Sequence, residues 1–115
     1  MKPTQALEKV SGIVGVKSYF LVKNDGSLVS GKGDAATEVP QCIALSGLNG
    51  EAICTLLGFS RFSHMIFSRQ SKESVIIFPI QDQFLAVIKE SYASAANLIP
   101  MISELISEIE TINVD

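Results

Sequence analysis

Apolar and polar positions along this chain of 115 residues switch between a helical period and an alternating one, and the switches divide it into helices and strands. Ala6, Leu7 and Val10 recur at helical spacing, so Pro3–Val10 reads as a short helix with Pro3 in an early helical position. Val14–Lys23 (VGVKSYFLVK) is rich in β-branched and aromatic residues and ends on Asn24-Asp25-Gly26, ahead of Ser27-Leu28-Val29-Ser30. That order predicts two antiparallel strands joined by a tight two-residue turn, because Asn, Asp and Gly tolerate positive φ. Gly31–Thr37 reads as a loop, from which Asp34 or Thr37 caps a long helix running from about Glu38 to Leu57. After Gly58 the strand pattern returns at Phe62–Arg69, Ser74–Ile80 and Gln83–Lys89, with a polar turn at Gln70–Glu73. The last segment is an amphipathic helix, capped at Asn97 with Pro100 in its first turn. Leu98, Ile99, Met101, Ile102, Leu105, Ile106, Ile109 and Ile112 line one face; Ser103, Glu104, Ser107, Glu108 and Glu110 line the other.

The runs VIIFPI and FLAVI are apolar on both alternating faces, so their strands require cover above and below. Helices on both sides of one sheet follow, which is a three-layer α/β/α domain of α+β type. Pro79 donates no ladder hydrogen bond and belongs at a strand end or a bulge. Within the long helix, Cys42, Ile43, Leu45, Leu48, Ile53, Leu56 and Leu57 span an arc of roughly 220° at 100° per residue, wider than one core-facing stripe. One face packs on the sheet, and part of the remainder needs another cover. The residual sector carries Ala44, Gly47, Glu51 and Thr55. Gly47 and Gly50 each cost about 1 kcal/mol against Ala in a helix, which leaves two explanations: close approach of another backbone, or a local break.

Composition sharpens the same point. Hydrophobic residues make up 47% of a single-domain chain whose mean hydropathy is +0.34, and this leaves apolar surface for a partner after folding. The net charge of −3 offers little attraction to phosphate backbones or anionic lipid, so nucleic acid is not expected as a ligand. No run of eighteen apolar residues occurs; a cytoplasmic protein without membrane insertion is expected. Cys42 and Cys54 stand twelve residues apart on one helix, about 18 Å, too far to bridge, and read as buried packing thiols.

Candidate chemistry is sparse. His64 is the single histidine, read as a mid-strand packing or edge residue without triad partners, and no metal-ligand spacing exists. Gly31-Lys32-Gly33 lacks the spacing of a phosphate loop. Asp25 and Asp34 are the expected turn and cap formers. Arg61, Arg69 and Lys72 are expected around one end of the third strand, where they blunt a sheet edge or steer an acidic partner. Neither enzyme chemistry nor a cofactor is indicated.

The stretches LEKVSGIVGVKSYFLVKNDGSLV (Leu7–Val29), ESVIIFPIQDQFLAVI (Glu73–Ile88) and NLIPMISELISEI (Asn97–Ile109), with the long small-residue-containing helix between them, resemble the roadblock family of dynein light chains and bacterial polarity regulators. The resemblance implies a five-stranded antiparallel sheet of profilin-like topology, with the long helix on one face and the terminal helices on the other. It further implies a homodimer in which the long helices pack together and the Phe62–Arg69 strand pairs with its copy. Mapped by position, Leu45, Leu48, Ala52, Met65 and Phe67 are the candidate pairing residues, while Gln41, Glu51, Thr55 and Arg69 are candidate partner contacts. Such proteins serve as non-catalytic platforms for Ras-like small GTPases or scaffold complexes. Neither Ser30–Glu38 nor Gln70–Glu73 carries a feature that singles out one GTPase. The competing expectation is a small-molecule sensor of profilin-like or PAS-like architecture, with leftover apolar surface lining a pocket.

Overall fold

The computed structural model describes residues 3–32, 38–68 and 72–112, with the side chains of 3–6, 111 and 112 outside the description. Eight elements follow one another: α1 (Pro3–Ser11), β1 (Val16–Lys23), β2 (Leu28–Lys32), α2 (Glu38–Leu57), β3 (Met65–Phe67), β4 (Ser74–Ile80), β5 (Gln83–Lys89) and α3 (Ala95–Ile112). The strands form one antiparallel sheet in the order β2-β1-β5-β4-β3. The doubly apolar runs are β4 and β5, and both are interior strands covered on two sides. Tyr19, Leu21, Ile76, Phe78, Leu85 and Val87 pack with Leu7, Val10, Leu98 and Ile102 of α1 and α3. Phe20, Val22, Ile77, Phe84 and Ala86 pack with Ile43 and Ala44 of α2 on the opposite face. The expected three layers and five-stranded sheet are present.

Several boundaries differ from the sequence expectation. The hairpin loop holds three residues rather than two: Gly26 N–H donates to the Lys23 carbonyl (3.0 Å), Lys23 N–H to the Ser27 carbonyl (2.9 Å), and Gly26 takes φ +94°. This is a turn followed by a left-handed glycine, a common hairpin closure. β1 starts at Val16 because Gly15 adopts φ +100° against Ala93, and Gly31 and Lys32 extend β2 instead of opening a loop. β3 is three residues long, so His64 precedes it rather than lying within it. α3 begins at Ala95, where the Ser94 carbonyl accepts from the N–H groups of Asn97 and Leu98 (3.1 and 3.0 Å). Two alanines after a serine start a helix more readily than Asn97 caps one, and Pro100 therefore sits inside the helix, past its first turn. Pro79 is next to last in β4, beyond the stretch that β3 pairs. Asp34 and Thr37 lie outside the described residues.

Two polar arrangements hold the ends of the sheet. Lys89, buried, donates from Nζ to the carbonyls of Glu90 (3.1 Å) and Ala93 (2.8 Å), so its charge is satisfied by the turn leading into α3. At the opposite end Asp25 accepts from the Ser27 hydroxyl (2.6 Å) and the Ser27 N–H (2.9 Å). These bonds, the hydroxyl first, hold its carboxyl below the usual carboxylate range.

Two expectations follow. Because the folded carboxyl of Asp25 titrates below its unfolded value, its contribution is complete above the unfolded pKa and fades as pH falls through the folded one. Urea melts of wild type and Asp25→Asn should therefore differ at neutral pH and converge in acid. The second concerns the glycines of α2. A Cβ at Gly47 would stand 2.5 Å from the fully buried Phe84 ring, whereas one at Gly50 meets the flexible end of Met65 at 2.8 Å. Gly47→Ala should cost about 1–3 kcal/mol in a denaturant titration, and Gly50→Ala less than about 1 kcal/mol, since helix propensity offsets the shift of a methionine.

Candidate docking face on the long helix

α2 meets the sheet through its small residues. Its buried positions are Pro40, Ile43, Ala44, Gly47, Gly50 and Cys54, and the helix runs unbroken through both glycines. Gly47 rests on Phe84, and Gly50 on Met65 and Phe62, so side chains of the sheet layer, not another backbone, make the close approach. The sequence expectation was inverted here. The sector holding Ala44 and Gly47 faces the core, and of the seven large apolar residues of the wide arc only Ile43 is buried with it. Cys42 is exposed, against the expectation of two buried thiols, while Cys54 is buried and both are free.

The large side chains consequently point outward. Leu45 (61% exposed), Leu48 (41%) and Leu56 (86%) form, with exposed Ala52, a ridge at steps of three and four residues along the top of α2. Glu51 and Thr55 fall on the flank beside it, the one that overlooks the strand turns, and Gln41, four residues before Leu45, stands at the N-terminal end of the ridge. A Cβ at Gly26 would lie 3.3 Å from the Gln41 side chain. Glu51 accepts from the Arg61 guanidinium at 3.0 Å, and Arg61 also donates to the Gln81 carbonyl in the β4–β5 turn. Thr55 Oγ1 donates back to the Glu51 carbonyl (3.0 Å). Arg61 is thus drawn to the end of the sheet opposite Lys72, which precedes β4, and the expected basic cluster does not form among these two. Arg69 lies outside the described residues. Lys17 pairs instead with Glu73 at 2.5 Å near the Lys72 end.

On the other flank of α2 lies a groove of about 280 Å³, which no sequence signal had indicated. α2 covers the half of its sheet face nearest the turns; Phe67, Val75 and Ile88 make one cross-strand row on the uncovered half. Val39, Cys42 and Ser46 form the wall, with Glu38 at the mouth. Beside the groove, β3 ends the sheet order and, among the described residues, pairs with β4 alone. Met65 and Phe67 sit on the α2 face opposite Ile77 and Val75; Met65 is half-buried beneath Gly50 and Phe67 is exposed. His64 stands just before this strand, its Nδ1 3.1 Å from the Ser63 hydroxyl and its ring tilted on Phe78. Among the described residues no group of three or more His, Cys, Asp or Glu is placed to hold a metal ion, and no helix is long and apolar enough to cross a membrane.

This arrangement of five strands, one long helix and a terminal pair is matched by solved structures. The fold is that of the roadblock family. MglB from Myxococcus xanthus superposes at TM-score 0.76 with 19% identity, over 94% of this chain and 88% of that one. A roadblock/LC7 domain from Streptomyces avermitilis gives 0.79 with 16% identity over 95% and 94%. Profilin IB of Acanthamoeba castellanii shares the same frame at 0.72, with 13% identity over 98% and 99%. No family model matches the sequence and no curated protein matches it either, so the likeness is one of fold. In the single chain of this roadblock fold the α2 ridge is solvent-facing, and Leu56→Glu should leave the unfolding free energy within about 0.5 kcal/mol of wild type in a urea melt run at a concentration where the chain is monomeric, as for an exposed site.

Proposed function

We propose that this chain is a non-catalytic homodimeric adaptor or regulator that docks onto a small Ras-like GTPase or a larger protein complex. The observation that carries the reading is the outward set of large apolar side chains on α2: Leu45, Leu48, Ile53, Leu56 and Leu57 are all exposed in the single chain. Removing each from water is worth about 1.5–3 kcal/mol. These side chains are already partly shielded, so covering half of the ten in a pair returns at most about 7.5–15 kcal/mol, comparable to an association cost of about 4–15 kcal/mol. The unpaired outer edge of β3 supports the same pairing, since a free edge with exposed Ile66 and Phe67 is a template for a second strand. A pair built through α2 and β3, with Met65 and Phe67 at the seam, presents both α2 helices on one surface. Gln41, Glu51 and Thr55 border that surface.

The sensor alternative is less well supported. The groove beside α2 is open and apolar, with Glu38 and Ser46 as its polar neighbours, and lacks the convergent polar groups that fix a small ligand.

Light scattering after size exclusion at micromolar concentration should give twice the chain mass. Anisotropy titrations against purified small GTPases, each loaded with GDP or a non-hydrolysable GTP analogue, should show binding that depends on the nucleotide. A clean monomer overturns the pairing, and a dimer indifferent to every such GTPase overturns the choice of partner.

A further inference from the structure

A second cleft, of about 270 Å³, opens on the other face of the sheet, between α3 and the segment that leads from α2 into β3. It originates in the register of β4. Continued two residues back from Met65↔Ile77, β3 would set Ser63 opposite Pro79, which has no N–H to give, and the ladder starts only at Met65. The chain from Arg61 to Ser63 therefore runs beside β4 without pairing, and a gap is left next to α3.

Phe78 and Ile106, both buried, and Pro79 make the apolar floor of this gap. One wall carries the Arg61 guanidinium and the Ser63 hydroxyl, the latter 3.1 Å from His64 Nδ1. The other wall is a stripe of α3 on which Ser103, Ser107 and Glu110 recur at steps of four and three residues. Arg61 donates to Glu51 and to the Gln81 carbonyl through Nη2 alone. Among the described residues its Nε and Nη1 groups hold no further acceptor, so three N–H donors remain for a ligand. The last turn of α3 holds Glu110 and no basic residue, so a carboxylate and the negative pole of the helix sit together without a cation.

Opposite charges thus face the same cleft across an apolar floor, with hydroxyls between them. A simple anion on Arg61 would meet the Glu110 carboxylate and the negative pole of α3, and a simple cation on Glu110 would meet Arg61. A wholly apolar molecule would take water from five polar side chains and return no hydrogen bond. We propose that this cleft binds a small zwitterion of the amino-acid type. The carboxylate lies on Nε and Nη1 of Arg61, the ammonium on Glu110, and the apolar side chain on Phe78, Pro79 and Ile106. The size agrees, since room for about nine water molecules of ~30 Å³ each suits a molecule of about ten non-hydrogen atoms. The convergent polar groups that the groove beside α2 lacks are present here, and the site depends neither on pairing nor on the docked partner.

NMR titration of the ¹⁵N-labelled full chain with L-leucine and L-phenylalanine tests this, with leucinamide, which lacks the carboxylate, and N-acetyl-leucine, which lacks the ammonium, as comparisons. At least one of the two amino acids should shift the amides of residues 103, 107 and 110 saturably with Kd below about 1 mM, and, where leucine binds, both derivatives should bind at least about tenfold more weakly. Glu110→Gln should weaken the amino acid at least about tenfold yet change N-acetyl-leucine less than about threefold, and Arg61→Gln should weaken the amino acid equally while sparing leucinamide. Arg61 also holds Glu51 and the β4–β5 turn; should Arg61→Gln fail to fold, Glu110→Gln and the derivatives decide the matter. No saturable shift with either amino acid up to about 20 mM, or binding that Glu110→Gln leaves unchanged, overturns the proposal.

Discussion

The contact on which the structure depends is the seat of α2 on the sheet at Gly47 and Gly50. A helix resting on side chains as large as Phe84 and Met65 comes close to the strands when it carries no Cβ at the points of contact. Glycine at both positions costs helix propensity, about 1 kcal/mol each. What is gained is a short distance between helix and sheet and a dense contact with Phe84, whose ring also stacks on Phe62 at 6.4 Å. Once the small residues are committed to the core, the remaining helix positions determine the surface. Leu45, Leu48, Ile53, Leu56 and Leu57 have nowhere inside to go, so the geometry that packs the monomer also exposes the material for association.

That inversion explains how far the sequence could be read. The strand runs of β4 and β5 were legible because burial on both faces leaves an unmistakable apolar run, and the layer order followed from them. The amphipathic stripe of α3 was equally plain. For α2 the usual rule assigns the most hydrophobic sector to the core, and here the rule points the wrong way. A helix presenting large residues to solvent and small ones to its sheet has a weak, misleading periodicity, and only the position of Phe84 opposite Gly47 resolves it. The boundaries that moved, at Gly15, Gly31, His64 and Ala95, lie where one or two residues decide between turn and element, and tertiary contacts such as Gly15 against Ala93 settle them.

The candidate site was partly legible. Leu45, Leu48 and Ala52, named through the family resemblance, do share a surface, and Met65 and Phe67 lie on the strand that ends the sheet order. The groove was invisible because it is made by what α2 leaves uncovered: Phe67, Val75 and Ile88 come from three strands, and no local pattern reports that a helix crosses beside them and not above them. Glu51 looked like a free partner contact in the sequence, but its carboxylate is engaged by Arg61, which also reaches the β4–β5 turn. A docking protein that uses Glu51 must accept it in that fixed position or exchange the arginine for a cation of its own.

The same frame occurs in MglB and in profilin, and a fold by itself does not identify a partner. In a three-layer fold of this size, what distinguishes one use from another is which positions of the outward helix are large and apolar and which sheet edge is left unpaired. Here both features occur at one end of the molecule, since α2 runs toward β3 and past it. Were the exposed leucines on α1 or α3, they would lie behind the sheet and away from the β3 edge, and strand pairing could not bring two such helices onto one surface. Placed on α2, the apolar excess and the open strand lie at the same edge, so that in the proposed pairing each would make the other's burial geometrically possible.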